Sequence, residues 1–301
     1  MLLLRGQIMR MKAGSLRNND RGAWAKLVAG GITTILLMFA CTGPAKAADR
    51  AELVYESGGR IMSVQADGTG RVNLTPGRKA GFLLDLESEP VVSPDGRSIA
   101  YVDHIEPDQG RSFRQLVITD RNGKNRRVLL DSRDYPRDGD LLAVDWLENE
   151  RLLAVDYIGS DRRHRFVTTR IVAVRTNGSG QKVQYRRIYR GTRDSTIDGI
   201  DVSPDRRYLL IDSSSGNWVP KLEILDRKTG RLRTVRRKAD KGTWSPDGSR
   251  IAFESEETFI RRHCEFGDCW GDSKIFVMRR NGKGVHRLTR GRAPGDETDP
   301  V

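Results

Sequence analysis

A tight-turn dipeptide ending in glycine returns five times along this 301-residue chain. The copies are Asp67-Gly68, Asn122-Gly123, Asn177-Gly178, Thr229-Gly230 and Asn281-Gly282, and their glycines are 55, 55, 52 and 52 residues apart. Asn-Gly and Asp-Gly favour hairpins because both central residues can take positive φ. Short apolar or alternating runs flank every copy: IMSV and RVNL, LVIT and RVLL, IVAV and VQY, LEIL and RLRTV, IFVM and VHRL. A fixed period of this length means an array of like units, each burying its faces against its neighbours.

A second turn recurs out of phase with the first. It reads Ser93-Pro94-Asp95-Gly96, Ser203-Pro204-Asp205-Arg206 and Ser245-Pro246-Asp247-Gly248, with a degenerate copy at Leu147-Glu148-Asn149-Glu150. Proline pre-sets φ, Asp bonds its own backbone, and glycine relieves the positive-φ position. An apolar strand follows each time: SIAYV, RLLAV, YLLID and RIAFE. Each period therefore holds four strands: a, the Ser-Pro-Asp-Gly turn, b, a variable loop, c, the Asn-Gly turn, and d. Strand a is expected at 87–92, 141–146, 197–202 and 241–244. Strand b is expected at 53–57, 97–103, 151–157, 207–213 and 250–255.

The array thus begins on a strand b with no strand a before it. At the far end, 297–301 (ETDPV) aligns with 87–91 (ESEPV), the opening of a strand a. Pairing of the last strand with the first unit would close a ring and remove both open edges. The expectation is an all-β β-propeller of five four-stranded antiparallel blades, closed by its N- and C-terminal strands; a six-bladed ring is the alternative.

The repeats resemble the TolB-type β-propeller with its WD-like repeat, a unit similar to P-x-W-SPDG-x-x-IAF, then IYVM-x-x-DG, then LT. The last repeat carries it best, in TWSPDGSRIAFES, KIFVMRRNGKGVHRLT and DETDP; the first has RIMSVQADGTGRVNLT and the second EPVVSPDGRSIAYV. The likeness covers about residues 51–301. Complete TolB proteins also carry an N-terminal α/β domain, and none is expected here. The resemblance implies a propeller in the periplasm, near the outer membrane or peptidoglycan.

Composition bears on compartment and partners. The formal charge is +13, but residues 1–47 hold seven basic residues and one acid, so about +7 remains on the rest. That balance suits acidic partners or an anionic membrane surface. The only strong apolar run, residues 27–40 (LVAGGITTILLMFA), is short of the roughly 20 residues a membrane span needs. Basic residues precede it and Ala45-Lys46-Ala47 follows as an A-x-A site, the pattern of a signal peptide over 1–47. Residues 48–301 are then one propeller domain, periplasmic or secreted and monomeric, with no transmembrane segment after cleavage. The alternatives are lipidation of Cys41, against a poor lipobox in Met38-Phe39-Ala40-Cys41, and an uncleaved anchor, against the shortness of the apolar run. Outside the leader, Cys264 and Cys269 are spaced C-x4-C, read as a local disulfide in an oxidising compartment. A metal site with His263 is the rival, but zinc usually takes four ligands and no second pair lies nearby.

In such a blade the a–b and c–d turns share one face of the ring, and the long b–c and d–a connections share the other. The b–c loops are expected at 104–114, 158–166, 214–219 and 256–272. They are rich in arginine and aromatic residues, the composition of interface hot spots. The candidate partner-binding residues are Tyr135, Arg162, Arg163, His164, Trp218, Arg261, Arg262, His263 and Trp270. His104, His164 and His263 fall in or beside three different loops, with no spacing motif that makes them ligands. Asp95, Asp205 and Asp247 are explained as turn formers. No G-x-S-x-G elbow or H-E-x-x-H motif is present. No catalytic residue, metal or cofactor is therefore assigned. The expected function is non-enzymatic: a scaffold binding an envelope protein, peptidoglycan-associated or in the outer membrane. The alternative is a carbohydrate-binding or metal-dependent hydrolytic propeller, with Tyr135, Trp218 and Trp270 stacking on sugars. Nucleic acid is not an expected partner, because the leader takes the chain away from it.

Overall fold

A computed structural model describes residues 52–75, 82–107, 110–135, 139–160, 166–190, 196–215, 219–256, 263–264, 267–268 and 273–289. The leader expected at 1–47, with Cys41, and the closing strand expected at 297–301 lie outside the described residues. The described chain forms five antiparallel blades of a β-propeller. Blade 1 holds β1 (Glu52–Ser57), β2 (Arg60–Gln65) and β3 (Val72–Asn73). Blade 2 holds β4 (Phe82–Val92), β5 (Ser98–Pro107), β6 (Phe113–Asp120) and β7 (Arg127–Asp131). Blade 3 holds β8 (Asp140–Glu148), β9 (Arg151–Ser160), β10 (Phe166–Arg175) and β11 (Lys182–Arg190). Blade 4 holds β12 (Ile197–Val202), β13 (Tyr208–Ser215), β14 (Val219–Asp226) and β15 (Leu232–Arg237). Blade 5 starts with β16 (Ala239–Trp244) and β17 (Arg250–Glu256). A two-residue hairpin, β18 (His263–Cys264) and β19 (Gly267–Asp268), precedes its β20 (Ser273–Arg279) and β21 (His286–Arg287). Every expected strand a and strand b forms, and among the described residues blade 1 starts with its strand b.

The blades are stacked side by side, so both faces of a strand b are covered. This is why these strands read as unbroken apolar runs rather than alternating ones. In β5, Ile99 and Tyr101 pack with Val54, Ile61 and Leu74 of blade 1. Their neighbours Ala100 and Val102 pack instead with Leu141, Val144 and Trp146 of blade 3. In β9, Leu153 and Val155 meet Leu209 and Ile211 of blade 4. In β13, Leu210 turns the other way, to Trp244, Ile251 and Phe253 of blade 5. The core is therefore a series of layers between blades.

The turns refine the sequence reading. At all five Asn-Gly-type turns only the glycine has positive φ, from 71° to 84°. The expectation of two positive-φ residues is corrected: the residue before each glycine does not take positive φ, and in three of the turns it uses its side chain instead. Asp67 Oδ1 accepts from the Thr69 N–H at 2.9 Å, and Asn177 and Asn281 do the same to Ser179 and Lys283 at 3.0 Å. Gly68 N donates to Gln65 O at 2.8 Å while Gln65 N donates to Thr69 O at 2.9 Å. That is a three-residue loop, a type I turn closed by a left-handed glycine. At Gly123 the close fit is absolute, since a Cβ there would lie 2.0 Å from the Leu74 carbonyl oxygen of blade 1.

The Ser-Pro-Asp-Gly turns are built alike in three blades. Ser93, Ser203 and Ser245 each donate a hydroxyl to the turn Asp at 2.6 Å. Each serine oxygen then accepts the N–H that opens strand b, at 2.8–2.9 Å. The Ser245 hydroxyl and the Ser249 N–H hold the Asp247 carboxyl below the usual carboxylate range. Arg206 occupies the place of Gly96 and Gly248 with φ 59°. Arg206→Gly should therefore raise stability by about 0.5–1 kcal/mol, read as a higher urea midpoint at unchanged slope.

Neighbouring blades are tied by the strand-a residues. Trp146 Nε1 donates to the Val91 carbonyl of blade 2 at 2.9 Å, and Trp244 Nε1 to the Asp201 carbonyl of blade 4 at 3.1 Å. The buried Asp145 carboxylate accepts the N–H of Val202 in blade 4 at 2.6 Å and that of Trp146 at 2.7 Å. Asp201 repeats the device toward blade 5.

Candidate interaction face

The b–c and d–a connections leave the same face, and strand pairing carries further into them than the sequence suggested. β5 continues through His104 to Pro107, and His104 stands opposite Arg114 in the ladder with β6. The expected loop 104–114 therefore shortens to its central residues. The reason is that polar side chains at the blade tip are satisfied across the ladder and to the next blade. Arg114 Nη1 bonds Asp140 Oδ2 of β8 at 2.8 Å and the Leu141 carbonyl at 3.2 Å. Its backbone N–H donates to Ser132 Oγ at 2.9 Å. Burial, and then the Arg114 charge, hold the His104 imidazole below its ordinary value. A pocket of about 90 Å³ opens here between His104, Arg111, Phe113, Arg114 and Asp140.

The d–a connection after β7 begins with a 3-10 turn, Ser132–Asp134, capped by Asp131. Asp131 grips Arg133 with both oxygens, at 3.0 Å to Nε and 2.6 Å to a terminal nitrogen. Gln115 Nε2 donates to the same carboxylate at 2.6 Å. Burial works against ionisation of Asp131, but the Arg133 and Gln115 bonds outweigh it and keep the group below the usual carboxylate range. Held this way, the Arg133 guanidinium lies 4.1 Å from the centre of the Phe113 ring. The Arg133 side chain remains 61% exposed.

Tyr135 closes the connection. Its ring is half-buried against the layer between blades 2 and 3. Burial, and then the Asp156 carboxylate its hydroxyl bonds, push the phenol well above its usual value. Asp156 is also bound by Arg170 through two contacts, at 2.9 and 2.6 Å. Tyr135 and Arg170 line a groove of about 480 Å³ with Leu130, Asp131 and Gln181.

Of the candidate binding residues, Tyr135 is thus placed on this face, anchored by its hydroxyl and lining the groove. His263 lies in the β18–β19 hairpin opposite Asp268, with Cys264 opposite Gly267. Arg162, Arg163, His164, Trp218, Arg261, Arg262, Cys269 and Trp270 lie outside the described residues, and so does the expected Cys264–Cys269 pairing. The Arg133–Phe113 stack and the Arg114–Asp140 pair were not singled out from sequence. The i, i+2 spacing of Asp131 and Arg133 was a usable signal, but Phe113 is 20 residues away and only the fold brings it in. Among the described residues no three His, Cys, Asp or Glu side chains converge as a metal would need. None of their helices is long and apolar enough to cross a membrane.

No protein-family model and no curated protein matches the chain. Solved structures do match. TolB from Acinetobacter baumannii superposes with a TM-score of 0.50 at 17% identity, over 79% of this chain and 50% of that one. Puromycin hydrolase gives 0.50 at 16% identity, over 79% and 36%. Oligogalacturonate lyase in complex with manganese gives 0.46 at 12%, over 81% and 63%. The chain spans half the length of the TolB structure it matches. The TolB-like propeller read from the repeats is thus present in three dimensions, and at these identities the likeness is one of fold.

Proposed function

We propose that the chain is a non-catalytic propeller that binds a protein partner in the cell envelope, as a periplasmic or secreted scaffold. The observation that carries this reading is the Arg133–Phe113 stack on the long-connection face. Asp131 pays the ordering cost of Arg133 before any partner arrives, and the guanidinium is left open with free edges. A preordered arginine on an aromatic ring is what interface hot spots are made of. Arg111, tied to the Gly139 carbonyl at 3.1 Å, stands at the neighbouring pocket. The partner recognised here offers carboxylates or backbone carbonyls to these guanidiniums. The arginine- and aromatic-rich loops expected from the sequence at 158–166, 214–219 and 256–272 have their central residues outside the described residues, and their share in this face is part of the proposal. The outer-membrane or peptidoglycan-associated location of the partner follows from the TolB likeness and belongs to this proposal.

The test is affinity capture from envelope extract with the full chain, followed by crosslinking and mass spectrometry. One dominant protein crosslinked to the long-connection face is expected. Arg133→Glu should weaken that complex by about tenfold, equal to about 1.4 kcal/mol, and Arg162→Glu or Arg261→Glu should weaken it as well. Affinity unchanged in all three variants would remove this face from consideration. A glycan retained in place of any protein would replace the scaffold reading with the carbohydrate one.

A further inference from the structure

The opposite face of the ring, made of the a–b and c–d turns, carries its own signal. In blades 4 and 5 these turns are residues 203–207, 226–233, 245–250 and 279–283, and they hold ten Lys and Arg residues against three Asp. The three acids are Asp205, Asp226 and Asp247, and all three accept hydrogen bonds inside their own turns. The excess of about +7 equals the excess of all residues after the leader. Blade 2 manages its charges differently: Arg121 pairs with Glu52 at 2.6 Å and Arg126 with the buried Asp103 at 2.7 Å.

The basic turns form one fixed surface. Arg227 N donates to the Arg207 carbonyl at 3.0 Å, and its guanidinium bonds the Arg206 carbonyl. Arg233 of blade 4 donates to the Arg280 carbonyl of blade 5 at 2.7 Å. Arg207 and Arg280 both lie over the Tyr208 ring, at 5.1 and 5.0 Å from its centre. The acids nearby answer only part of this charge: Asp226 meets Arg207 at 2.9 Å, and Glu148 of blade 3 meets Arg206 at 3.9 Å. Burial, and then the neighbouring Arg280, press the Arg233 guanidinium below its ordinary value, as expected where cations crowd.

We infer that the turn face of blades 4 and 5 docks on an anionic membrane surface, through phosphate headgroups met by Arg206, Arg207, Arg231, Arg233 and Arg280. The absence of an apolar centre favours lipid over an acidic protein. The exposed large apolar residues among those described are Val72, Val128, Val183, Ile188 and Leu288, and none falls in these turns. A protein interface buries an apolar, charge-depleted centre, whereas a headgroup surface is met by a spread of basic side chains alone. The inference is independent of the long-connection face. Together they orient the ring with one face on the membrane and the other toward the partner.

The experiment is co-sedimentation of the full chain with vesicles of phosphatidylcholine alone or mixed with phosphatidylglycerol. Binding is expected only with phosphatidylglycerol present, strong at about 0.05 M salt and lost at about 0.5 M. Lys228→Glu combined with Arg231→Glu changes two exposed side chains of one turn and should weaken binding by at least about tenfold. Arg186→Glu combined with Arg237→Glu reverses the same charge on outer strands away from this face and should stay within about twofold. Circular dichroism of each variant confirms the fold. Equal binding to neutral vesicles, or an equal loss from both double variants, would overturn the inference. So would retention on soluble polyglutamate with none on the vesicles, which would assign the face to an acidic protein.

Discussion

Asp201→Ala should lower the stability of the propeller by about 2–4 kcal/mol, a fall of roughly 5–15 °C in melting temperature. Asp201 is 4% exposed and sits at the centre of the tie between blades 4 and 5. One carboxylate oxygen accepts the Trp244 N–H at 2.7 Å and the Thr243 hydroxyl at 2.8 Å. Alanine leaves that N–H in a dry place with no acceptor, and the cost is the full desolvation of the group rather than the modest net value of a hydrogen bond. Asp201→Asn keeps an acceptor oxygen and should lose less than half as much. Urea unfolding of the three proteins decides the matter. An alanine variant as stable as the parent would mean that apolar packing alone holds blade 5 on blade 4.

Glu223→Ala should cost about 3–5 kcal/mol near neutral pH. Arg187 of blade 3 and Glu223 of blade 4 are paired at 2.7 Å with side chains only 13% and 5% exposed. Removing the acid strands a buried guanidinium, left with the neutral Tyr185 and Tyr189, whose hydroxyls accept from it at 3.3 Å and whose ring centres lie 5.7 and 5.8 Å away. The double variant Arg187→Met with Glu223→Ala should recover most of the loss, because the buried guanidinium is then gone and the charge that still loses its partner is that of Lys221, whose side chain is the more exposed of the two at 19%. The effect also has a pH signature. Burial alone would raise the Glu223 carboxyl, but Arg187, the Ser213 hydroxyl and Lys221 outweigh it and set it below the usual carboxylate value. A depressed folded-state pKa contributes stability above the unfolded value, near 4.3, and that contribution fades as pH falls through the folded value. The gap between parent and Glu223→Ala should therefore be widest near pH 7 and narrow below about pH 4. A gap that stays constant from neutral pH to about pH 3 would show that the pair acts by packing and not by charge. Glu254 works in the opposite sense, since burial raises its carboxyl, so acidification relieves rather than removes its effect on stability.

How much of this was legible depends on how far apart the partners lie. The five glycine turns, the three Ser-Pro-Asp turns and the apolar strands between them rest on contacts within a few residues. The period therefore announced the blades and their strands. The same letter in a different setting was not legible. Asp95, Asp205 and Asp247 bond residues two away and were recognised as turn formers. Asp145 and Asp201 reach residues 57 and 43 positions away, in the next blade, and nothing in their neighbours marks them. The loop arginines drew attention to one face, while the basic excess of the other lies scattered over four turns.

By itself, then, the sequence determined the repeating unit, its turns and the strands that must be buried on both sides, because local backbone preferences and apolar period suffice for those. The tertiary structure alone decided which carboxylates tie the blades, which arginine is held open on an aromatic ring, and where the positive charge gathers. Those outcomes depend on side chains dozens of residues apart being brought within hydrogen-bond distance, and only the stacking of the blades does that.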